Sequence, residues 1–230
     1  MTGSPPEVGV VIAAGGRGER AGSTTPKQFR EIGGIPMLLR AIRPFAAHPQ
    51  VAEIIVPLPP AVLSDPPAWL TDLLGNRLQT VPGGETRADS VARGVAALPP
   101  SCTSVVIHDA ARPFVSIGTL DAIIDAVSRG ACAIAAVPVS DTIKRSDPDG
   151  VRVLETVNRH GLWRAQTPQG FPRQILEQAY AHMGQSAVTT DEAALVEAIG
   201  VPVELILDTT ANIKVTTPED FVVAEALASR

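Results

Sequence analysis

A glycine-rich, cationic stretch near the start of the chain has the residue types that bind phosphate groups. Val8 to Ala14 is an apolar run without polar alternation, which is typical of a buried parallel strand. Gly15, Gly16 and Gly18 follow it, and glycines let the backbone turn sharply enough to present several N–H groups to an anion. The next cations along the chain are Arg17, Arg20, Lys27 and Arg30. The stretch therefore predicts a phosphate-binding loop at the carboxyl end of the first strand.

A second glycine turn lies where another predicted strand meets a helix. Leu78 to Val81 indicates a short strand, and Thr86 to Leu98 indicates a helix with Val91 and Val95 facing inward. The carboxyl ends of strands and the N-termini of helices are where α/β sheets bind ligands. The residues placed at this junction are Gly83, Gly84, Arg87 and Ser90.

An acidic residue follows the third predicted strand directly. Ser104 to Ile107 predicts a buried strand and is followed by His108 and Asp109, with Ala110, Ala111 and Arg112 next. An aspartate just beyond a central strand is well placed to hold Mg²⁺ beside phosphates. The alternative is that Asp109 only terminates the strand in a turn.

Apolar runs alternate with segments of helical periodicity along the chain. The predicted strands are 8–14, 53–58, 78–81, 104–107, 131–139 and 203–207; the predicted helices are 35–47, 69–74, 86–98, 117–129 and 173–182, one beginning near Thr189 and one capped by Thr217. Residues 57–67 are proline-rich and predict a surface excursion without regular structure, and residues 168–171 predict a loop. This order predicts one three-layer, Rossmann-like α/β domain over residues 1–230 with a mainly parallel sheet.

One segment breaks the alternation. Residues 141–145 and 151–157 are two extended stretches joined by Asp147-Pro148-Asp149-Gly150, which is a hairpin signal. No helix is available to cover a hairpin at this point. We therefore expect an arm over about residues 140–163 that projects and contacts a second copy of the chain.

Composition excludes several other classes. The net charge of −5 and the aromatic content of 3% lack the basic face and stacking platforms of a nucleic-acid binder. Neither a membrane-spanning run nor a signal-peptide pattern is present in the sequence, so we expect no membrane partner and a cytoplasmic location. Cys102 and Cys132 have no metal-ligand spacing and are expected to be buried thiols.

Taken together, the motifs make the chain resemble the 2-C-methyl-D-erythritol 4-phosphate cytidylyltransferase family of the non-mevalonate isoprenoid pathway. The resemblance runs in order over nearly the whole chain. It is carried by Ala13-Ala14-Gly15, Arg20, Pro26-Lys27-Gln28, Gly83-Gly84, Arg87-Ala88-Asp89-Ser90-Val91, His108-Asp109-Ala110-Ala111-Arg112-Pro113, Asp141-Thr142-Ile143-Lys144, Arg159, Gly161-Leu162-Trp163, Thr167-Pro168-Gln169, Thr190-Asp191-Glu192-Ala193 and Asn212-Ile213-Lys214-Val215-Thr216. Two positions depart from the family pattern: the first loop has one glycine more than usual, and Glu85 stands where an aspartate is common.

The resemblance implies a nucleotidyltransferase fold that transfers CMP from CTP, with Mg²⁺ as the cofactor. Arg20, Lys27, Arg159 and Lys214 would be the catalytic cations. The CTP-binding residues would be Ala13, Ala14, Gly15, Gly16, Gly18, Gly83, Gly84, Arg87, Ser90, Asp109 and Ala110. Asp109 would also hold the metal.

The resemblance also implies a polyol phosphate site that needs two chains. The residues matched to methylerythritol phosphate are Asp109, Arg112, Thr142, Arg159, Thr167 and Thr190. Members of that family are homodimers. By this resemblance, the arm of one chain would donate Arg159 to the site of its neighbour.

Three other functions are open from the residues alone. A cytidylyltransferase for another polyol phosphate, such as ribitol 5-phosphate, would share the first loop and the Asp109 region. A dinucleotide-dependent dehydrogenase would use Gly16 and Gly18 as part of a G-x-G-x-x-A pattern, but Pro26 and the preceding Ser-Thr-Thr interrupt the helix that pattern requires. A nucleotide-binding protein without catalysis would leave Lys27, Arg159 and Lys214 without a shared purpose.

Overall fold

The computed structural model describes residues 7–15, 26–73, 75, 77–183 and 191–229. The strands are β1 (Glu7–Ala13), β2 (Glu31–Ile32), β3 (Ile35–Pro36), β4 (Val51–Leu58), β5 (Leu78–Pro82), β6 (Cys102–Asp109), β7 (Cys132–Pro138), β8 (Ile143–Ser146), β9 (Val153–Val157), β10 (Trp163–Pro172) and β11 (Val203–Leu207). The helices are α1 (Met37–Ala47), α2 (Pro60–Leu63), α3 (Ala68–Thr71), α4 (Arg87–Ala97), α5 (Ile117–Ser128), α6 (Arg173–Met183), α7 (Glu192–Ala198) and α8 (Pro218–Ala228), and a 3-10 turn covers Lys27–Phe29.

A central sheet carries the site. Within the described residues it has seven strands in the order β11-β7-β10-β6-β1-β4-β5, and only β10 runs antiparallel to its neighbours. Ala13 pairs with Asp109 and Leu58 pairs with Pro82, so β1, β6, β4 and β5 end at the same edge. The loops that follow these four strands therefore meet there.

Helices cover both faces of the sheet, which confirms the predicted three layers and mainly parallel sheet. One apolar cluster contains Val10 and Ile12 of β1 together with side chains of α1 and α5. The other contains Val11 together with side chains of α4, α6 and α7. Because β1 is buried on both faces, its sequence shows no polar alternation.

The helix that borders the second glycine turn is held at its start by its own side chains. The Thr86 hydroxyl accepts a hydrogen bond from the Asp89 backbone N–H at 3.1 Å, and the Asp89 carboxylate accepts one from the Thr86 N–H at 3.0 Å. This reciprocal cap satisfies two donors that the first turn of a helix leaves open. It fixes where Arg87 and Ser90 leave the backbone.

Three sequence predictions of structure were wrong or incomplete. Residues 57–67 are not irregular: Pro57 lies in β4, beyond Ile55 where the pairing with β1 ends, and Pro60 opens a short helix. Residues 168–171 are not a loop but part of β10, between β6 and β7. The helix predicted from residue 35 begins at Met37, because Ile35 and Pro36 pair with β2.

The predicted hairpin is present as β8 and β9, which form a sheet of their own. Its turn is closed by Asp147, whose carboxylate accepts from the Val151 N–H at 2.8 Å, and Gly150 takes a φ of 72° there. Apolar side chains on it stay exposed: Val151 at 78%, Val153 at 62% and Leu154 at 63%.

Two expectations from composition can also be compared with the structure. The helices of the described residues are too short or too polar to cross a membrane. The thiols of Cys102 and Cys132 are buried, as expected.

Candidate functional site

The two glycine turns lie against each other at the carboxyl edge of the sheet. A Cβ on Gly15 would fall 2.4 Å from the Ser90 Oγ, and one on Gly83 would fall 3.2 Å from the Gly15 Cα. The Ser90 hydroxyl donates to the Thr86 carbonyl at 2.9 Å and accepts from the Gly84 N–H at 3.0 Å. Ser90 is therefore buried and holds the turn in shape, and the glycines are required because no side chain fits between the loops.

The 3-10 turn brings Lys27 to the same edge. Its neighbour Gln28 is buried, and the Gln28 side-chain amide donates to the Ala14 carbonyl at 3.1 Å. This hydrogen bond ties the turn to the last residues of β1 and to the start of the predicted phosphate loop. Pro26 opens the turn with extended backbone.

A charged cluster surrounds Asp109, the last residue of β6. Its Oδ1 accepts from the Arg87 Nε at 2.9 Å, and its Oδ2 lies 2.9 Å from the Lys214 Nζ and 3.8 Å from the Arg112 Nε. Arg87 also donates through Nη1 to both carboxylate oxygens of Glu192, at 3.0 and 2.9 Å. The cluster therefore joins side chains from β6, α4, the first turn of α7 and the segment before α8.

Burial sorts these charges into two levels. The side chains of Asp109 and Glu192 are 9% and 0% exposed, whereas those of Lys214 and Arg87 are 45% and 28% exposed. The carboxylates thus lie beneath the cations. The outer level presents positive charge at the edge where the glycine turns meet, which is suited to an anionic ligand.

The pKa values follow from this arrangement. Burial alone would raise the pKa of Asp109, but the charges of Arg87 and Lys214 outweigh it and hold the pKa below the usual range of an aspartate. Burial raises the pKa of Glu192, and the Arg87 guanidinium opposes that rise. Asp109 is therefore ionised at neutral pH and keeps both neighbouring cations in place.

A neutral histidine fixes the backbone at Asp109. Burial lowers the pKa of His108 to about 4. Its Nε2 is 2.9 Å from the Arg112 carbonyl, which can only accept, so Nε2 carries the proton and Nδ1 accepts. Nδ1 is 3.0 Å from the Thr167 hydroxyl, which therefore donates to it and accepts from the Asp109 N–H at 3.0 Å. Thr167 is buried, and its hydroxyl is used inside the protein.

Arg112 is anchored by a second buried network. Its Nη1 donates to the Asn212 carbonyl at 2.8 Å, and the Asn212 side-chain amide donates to the Thr167 carbonyl at 2.8 Å and to Asp208 at 2.6 Å. The Thr119 hydroxyl donates to the other Asp208 oxygen at 2.7 Å. This network fixes the segment that carries Lys214, two residues further on.

The structure brings most of the predicted site residues together, and their roles stay predictions. Asp109, Arg87, Arg112, Lys214 and Thr167 are joined by the contacts above. The Ala110 N–H donates to the Ala13 carbonyl at 3.1 Å, which links the ends of β6 and β1. The residues near the meeting of the turns are Ala13, Ala14, Gly15, Gly83, Gly84 and Ser90.

Other predicted residues are apart from this cluster or outside the described part of the chain. Thr142 and Arg159 are exposed beside the hairpin, and the Arg159 Nη1 donates to the Ser140 carbonyl. Gly16, Gly18, Arg20 and Thr190 lie outside the described residues.

Sequence reasoning assigned no role to several residues of these networks. Glu192, Asn212 and Gln28 were noticed only as parts of longer motifs, and Asp208 gave no signal at all. A glutamate at the start of a helix is usually solvent-exposed. The burial of Glu192 and its contact with Arg87 are therefore seen only in the folded structure. The signal for Gln28 was its position directly after Lys27.

The described residues fit a metal site that is completed by the phosphates of a bound ligand, rather than a site formed by protein side chains alone. No group of three or more His, Cys, Asp or Glu side chains within the described residues could hold a metal ion. Mg²⁺ is usually bound by one or two carboxylates together with substrate phosphates and water. Asp109 fits that pattern, since each of its oxygens accepts from one close cation and keeps a further lone pair.

Comparison with solved structures first gives the class of protein. The crystal structure of 2-C-methyl-D-erythritol 4-phosphate cytidylyltransferase from Thermus thermophilus matches with a TM-score of 0.81 and 36% identity, over 97% of this chain and 100% of that one. The sheet and helices described above thus form a nucleotidyltransferase-type α/β fold.

Sequence comparison gives the particular family. Residues 8–230 match the model of IspD, 2-C-methyl-D-erythritol 4-phosphate cytidylyltransferase. The protein of that name from Frankia casuarinae is 43% identical over 226 residues, which cover 98% of this chain and 82% of the relative. The one from Pelotomaculum thermopropionicum is 40% identical, over 96% of this chain and 94% of the relative. This chain belongs to the 2-C-methyl-D-erythritol 4-phosphate cytidylyltransferase family.

Proposed function

We propose that this protein transfers CMP from CTP to 2-C-methyl-D-erythritol 4-phosphate, giving the diphosphocytidyl alcohol and pyrophosphate in isoprenoid precursor biosynthesis. The observation that carries the proposal is the layered charge at the carboxyl edge of the sheet, where exposed Lys214 and half-buried Arg87 lie over buried Asp109. Family membership supplies the identity of the two substrates.

The reaction needs positive charge more than it needs a general base. An oxygen of the acceptor's phosphate forms a bond to the α-phosphorus of CTP, and the bond from that phosphorus to pyrophosphate breaks. The nucleophile is already an anion, so the obstacle is the approach of two negatively charged groups. Catalysis of such transfers relies on positioning and on cations placed where charge accumulates.

Each proposed cation has a distinct task. Lys214 and Lys27 are compact charges that suit single phosphate oxygens, whereas Arg20 and Arg159 can each bind two oxygens in a plane. Contact with Asp109 holds Lys214 at the end of β6, where Arg87 from the start of α4 also binds. Gly83, Gly84 and Ser90 shape that turn, and Arg112 would meet the acceptor.

Mg²⁺ is the proposed cofactor, and Asp109 would hold it. Bound there with the nucleotide phosphates, the ion would supply positive charge to the phosphate oxygens. The protein's own part is to keep Asp109 ionised and oriented. Contacts from Arg87 and Lys214 support the ionised carboxylate, and the Thr167 hydroxyl, itself held by His108, fixes the Asp109 backbone N–H.

We further propose an arm-exchanged homodimer. The exposed apolar residues Val153 and Leu154 support a partner surface on the hairpin. Thr142 and Arg159 would then act at the neighbour's site. Thr167 and Thr190 remain predicted acceptor contacts, although in this chain the Thr167 hydroxyl already has two partners. The expected location in the cytoplasm also stays a prediction.

The proposal is tested by product formation with a charge-neutral variant at the centre of the cluster. Asp109→Asn keeps the side-chain shape and removes the charge that holds Lys214 and Arg87. Asp125→Asn on the exposed side of α5 is the matched control. With CTP, 2-C-methyl-D-erythritol 4-phosphate and Mg²⁺, the unmodified protein and the control should form pyrophosphate and the diphosphocytidyl alcohol in equal amounts. Asp109→Asn should be slower by about 100-fold or more. Equal rates for both variants would contradict the proposal.

A further inference from the structure

Glu192 is a fully buried carboxylate whose side-chain partner across the fold, among the described residues, is Arg87. Both of its oxygens accept from the same guanidinium nitrogen, Nη1. The two residues are 105 positions apart in the chain, so the fold and not local sequence brings them together. Burial of a carboxylate is unfavourable unless a charged partner compensates it, so Glu192 depends on this contact with Arg87.

The contact determines how Arg87 presents its other nitrogens. Nε donates to Asp109 and Nη1 to Glu192, so two separate nitrogens of the planar group are fixed by two carboxylates. Two carboxylates bound to two different nitrogens restrict rotation about the side-chain bonds of Arg87 and so fix the plane of its guanidinium. For Nη2 the described residues provide no hydrogen-bond partner, and the side chain is 28% exposed. The exposed part of the Arg87 side chain can therefore meet a ligand.

Glu192 also affects Asp109 through Arg87. Asp109 accepts from Arg87 on one oxygen and from Lys214 on the other. Without Glu192, Arg87 would keep one carboxylate partner and could swing out toward water. Asp109 would then be free to turn toward Lys214 and Arg112.

We infer that Glu192 is a positioning residue, which fixes Arg87 and through it the orientation of Asp109 for nucleotidyl transfer. The inference rests on the proposed function. It assigns Glu192 no contact with substrate, and its effect must pass through Arg87. Any test therefore has to separate this path from a general loss of stability.

A double-variant cycle makes that separation. Glu192→Gln keeps the volume of the side chain and removes its charge, and it is measured in the unmodified protein and in Arg87→Ala. In the unmodified background we expect kcat/KM for CTP to fall by about 10-fold or more, because small misplacements at a reacting centre are costly. In the Arg87→Ala background the same change should alter kcat/KM by less than about 2-fold, since coupled residues are not additive.

Two further variants define the specificity of the effect. Glu53→Gln is the matched control, because Glu53 is also buried but lies in β4 beside Gly9, near the opposite end of the strand. It should leave kcat/KM unchanged in both backgrounds. Glu192→Asp keeps the charge but is one methylene shorter, and it should recover part of the loss. If Glu192→Gln yields no folded protein, the same cycle is run with Glu192→Asp.

A second readout does not depend on turnover. The Nε–H signal of Arg87 in nitrogen-15 NMR spectra, assigned by its loss in Arg87→Lys, reports whether that proton is held by Asp109. We expect its exchange with water to be slow in the unmodified protein and in Glu53→Gln, and about 10-fold faster or more in Glu192→Gln.

The outcomes distinguish the two claims. Unchanged exchange of the Arg87 signal, or a loss of kcat/KM that is equally large without Arg87, would overturn the positioning inference. A different outcome is that the unmodified protein shows no CMP transfer while exchange of the Arg87 Nε–H with water becomes faster in Glu192→Gln. That result would contradict the proposed reaction and would support the role of Glu192 in fixing Arg87.

Discussion

Asp109 shows how single residues are made suitable for this chemistry. Its carboxylate is ionised because Arg87 and Lys214 compensate its burial, and its backbone N–H is fixed by Thr167. The sequence placed Asp109 and Arg87 at strand and helix ends, and the family resemblance added Arg112 and Lys214. The structure brings these four side chains together, and their roles stay predictions. The sequence could not predict Glu192 or Asp208, because their partners are distant in the chain and no local pattern marks a buried carboxylate.

At the residue scale, the two proposed phosphate-binding lysines should each matter for the transition state. Lys27→Ala and Lys214→Ala are each expected to remove about 3 kcal/mol of transition-state stabilisation, the scale of one lost preorganised donor. Steady-state kinetics with CTP, Mg²⁺ and the methylerythritol phosphate measures this as a drop of about 100-fold or more in kcat/KM. Arg129→Ala is the control, since the exposed Arg129 side chain, directly after α5, lies 3.7 Å from Glu204 and has no proposed role in the site. Turnover within a few-fold of the unmodified protein in either site variant would refute its role.

At the element scale, the fold depends on where strands end and helices begin. The apolar runs of β1, β6 and β7 and the cap of α8 were evident in the sequence. Strand β10 was missed because Pro168 and Gly170 are poor strand residues. The pairing of β10 with β7 shifts between Ala165 and Gln169, and this irregular stretch contains Thr167, whose hydroxyl reaches Asp109.

The cap at the start of α4, which positions Arg87 and Ser90, should contribute measurably to the stability of the fold. Thr86→Ala removes the hydroxyl that accepts from Asp89 and should lower the free energy of unfolding by about 1 kcal/mol, while Thr86→Ser should retain most of it. Hydrogen bonds from Thr86 lower the pKa of Asp89. The stabilisation by this carboxylate is therefore present above the ordinary aspartate pKa and is lost as the pH falls through the lowered value. Urea unfolding of the unmodified protein, Thr86→Ala and Thr86→Ser at neutral and acidic pH measures these free energies. A difference in the free energy of unfolding between the unmodified protein and Thr86→Ala that is the same at both pH values would contradict the prediction.

The hairpin makes a prediction about shared sites. If Arg159 acts in the partner's site while Lys214 acts in its own, Lys214→Ala and Arg159→Ala homodimers are both inactive. Subunit exchange between them produces mixed dimers in which one of the two sites is intact. An equal mixture should therefore recover about a quarter of the unmodified activity. A mixture that stays inactive after exchange, verified by mass spectrometry of the mixed dimer, would place both residues in the same chain's site.

At the scale of the whole molecule, the sheet order explains why residues from distant parts of the chain act together. Neighbouring β6, β1, β4 and β5 end at one edge, and antiparallel β10 brings Thr167 to the same place. The layers and the mainly parallel sheet could be predicted from the alternation of apolar runs and helical periodicity. The place of β10 within the sheet could not, because the order of strands depends on long-range packing that periodicity does not record.

The central claim concerns which phosphate this edge accepts. The most direct test is the rate of pyrophosphate release from CTP and Mg²⁺ with 2-C-methyl-D-erythritol 4-phosphate, compared with ribitol 5-phosphate at equal concentration. Rapid release with the first and little with the second is the predicted result. Preference for ribitol 5-phosphate would keep the fold and the chemistry but contradict the substrate, and no release with either would contradict the proposed reaction itself.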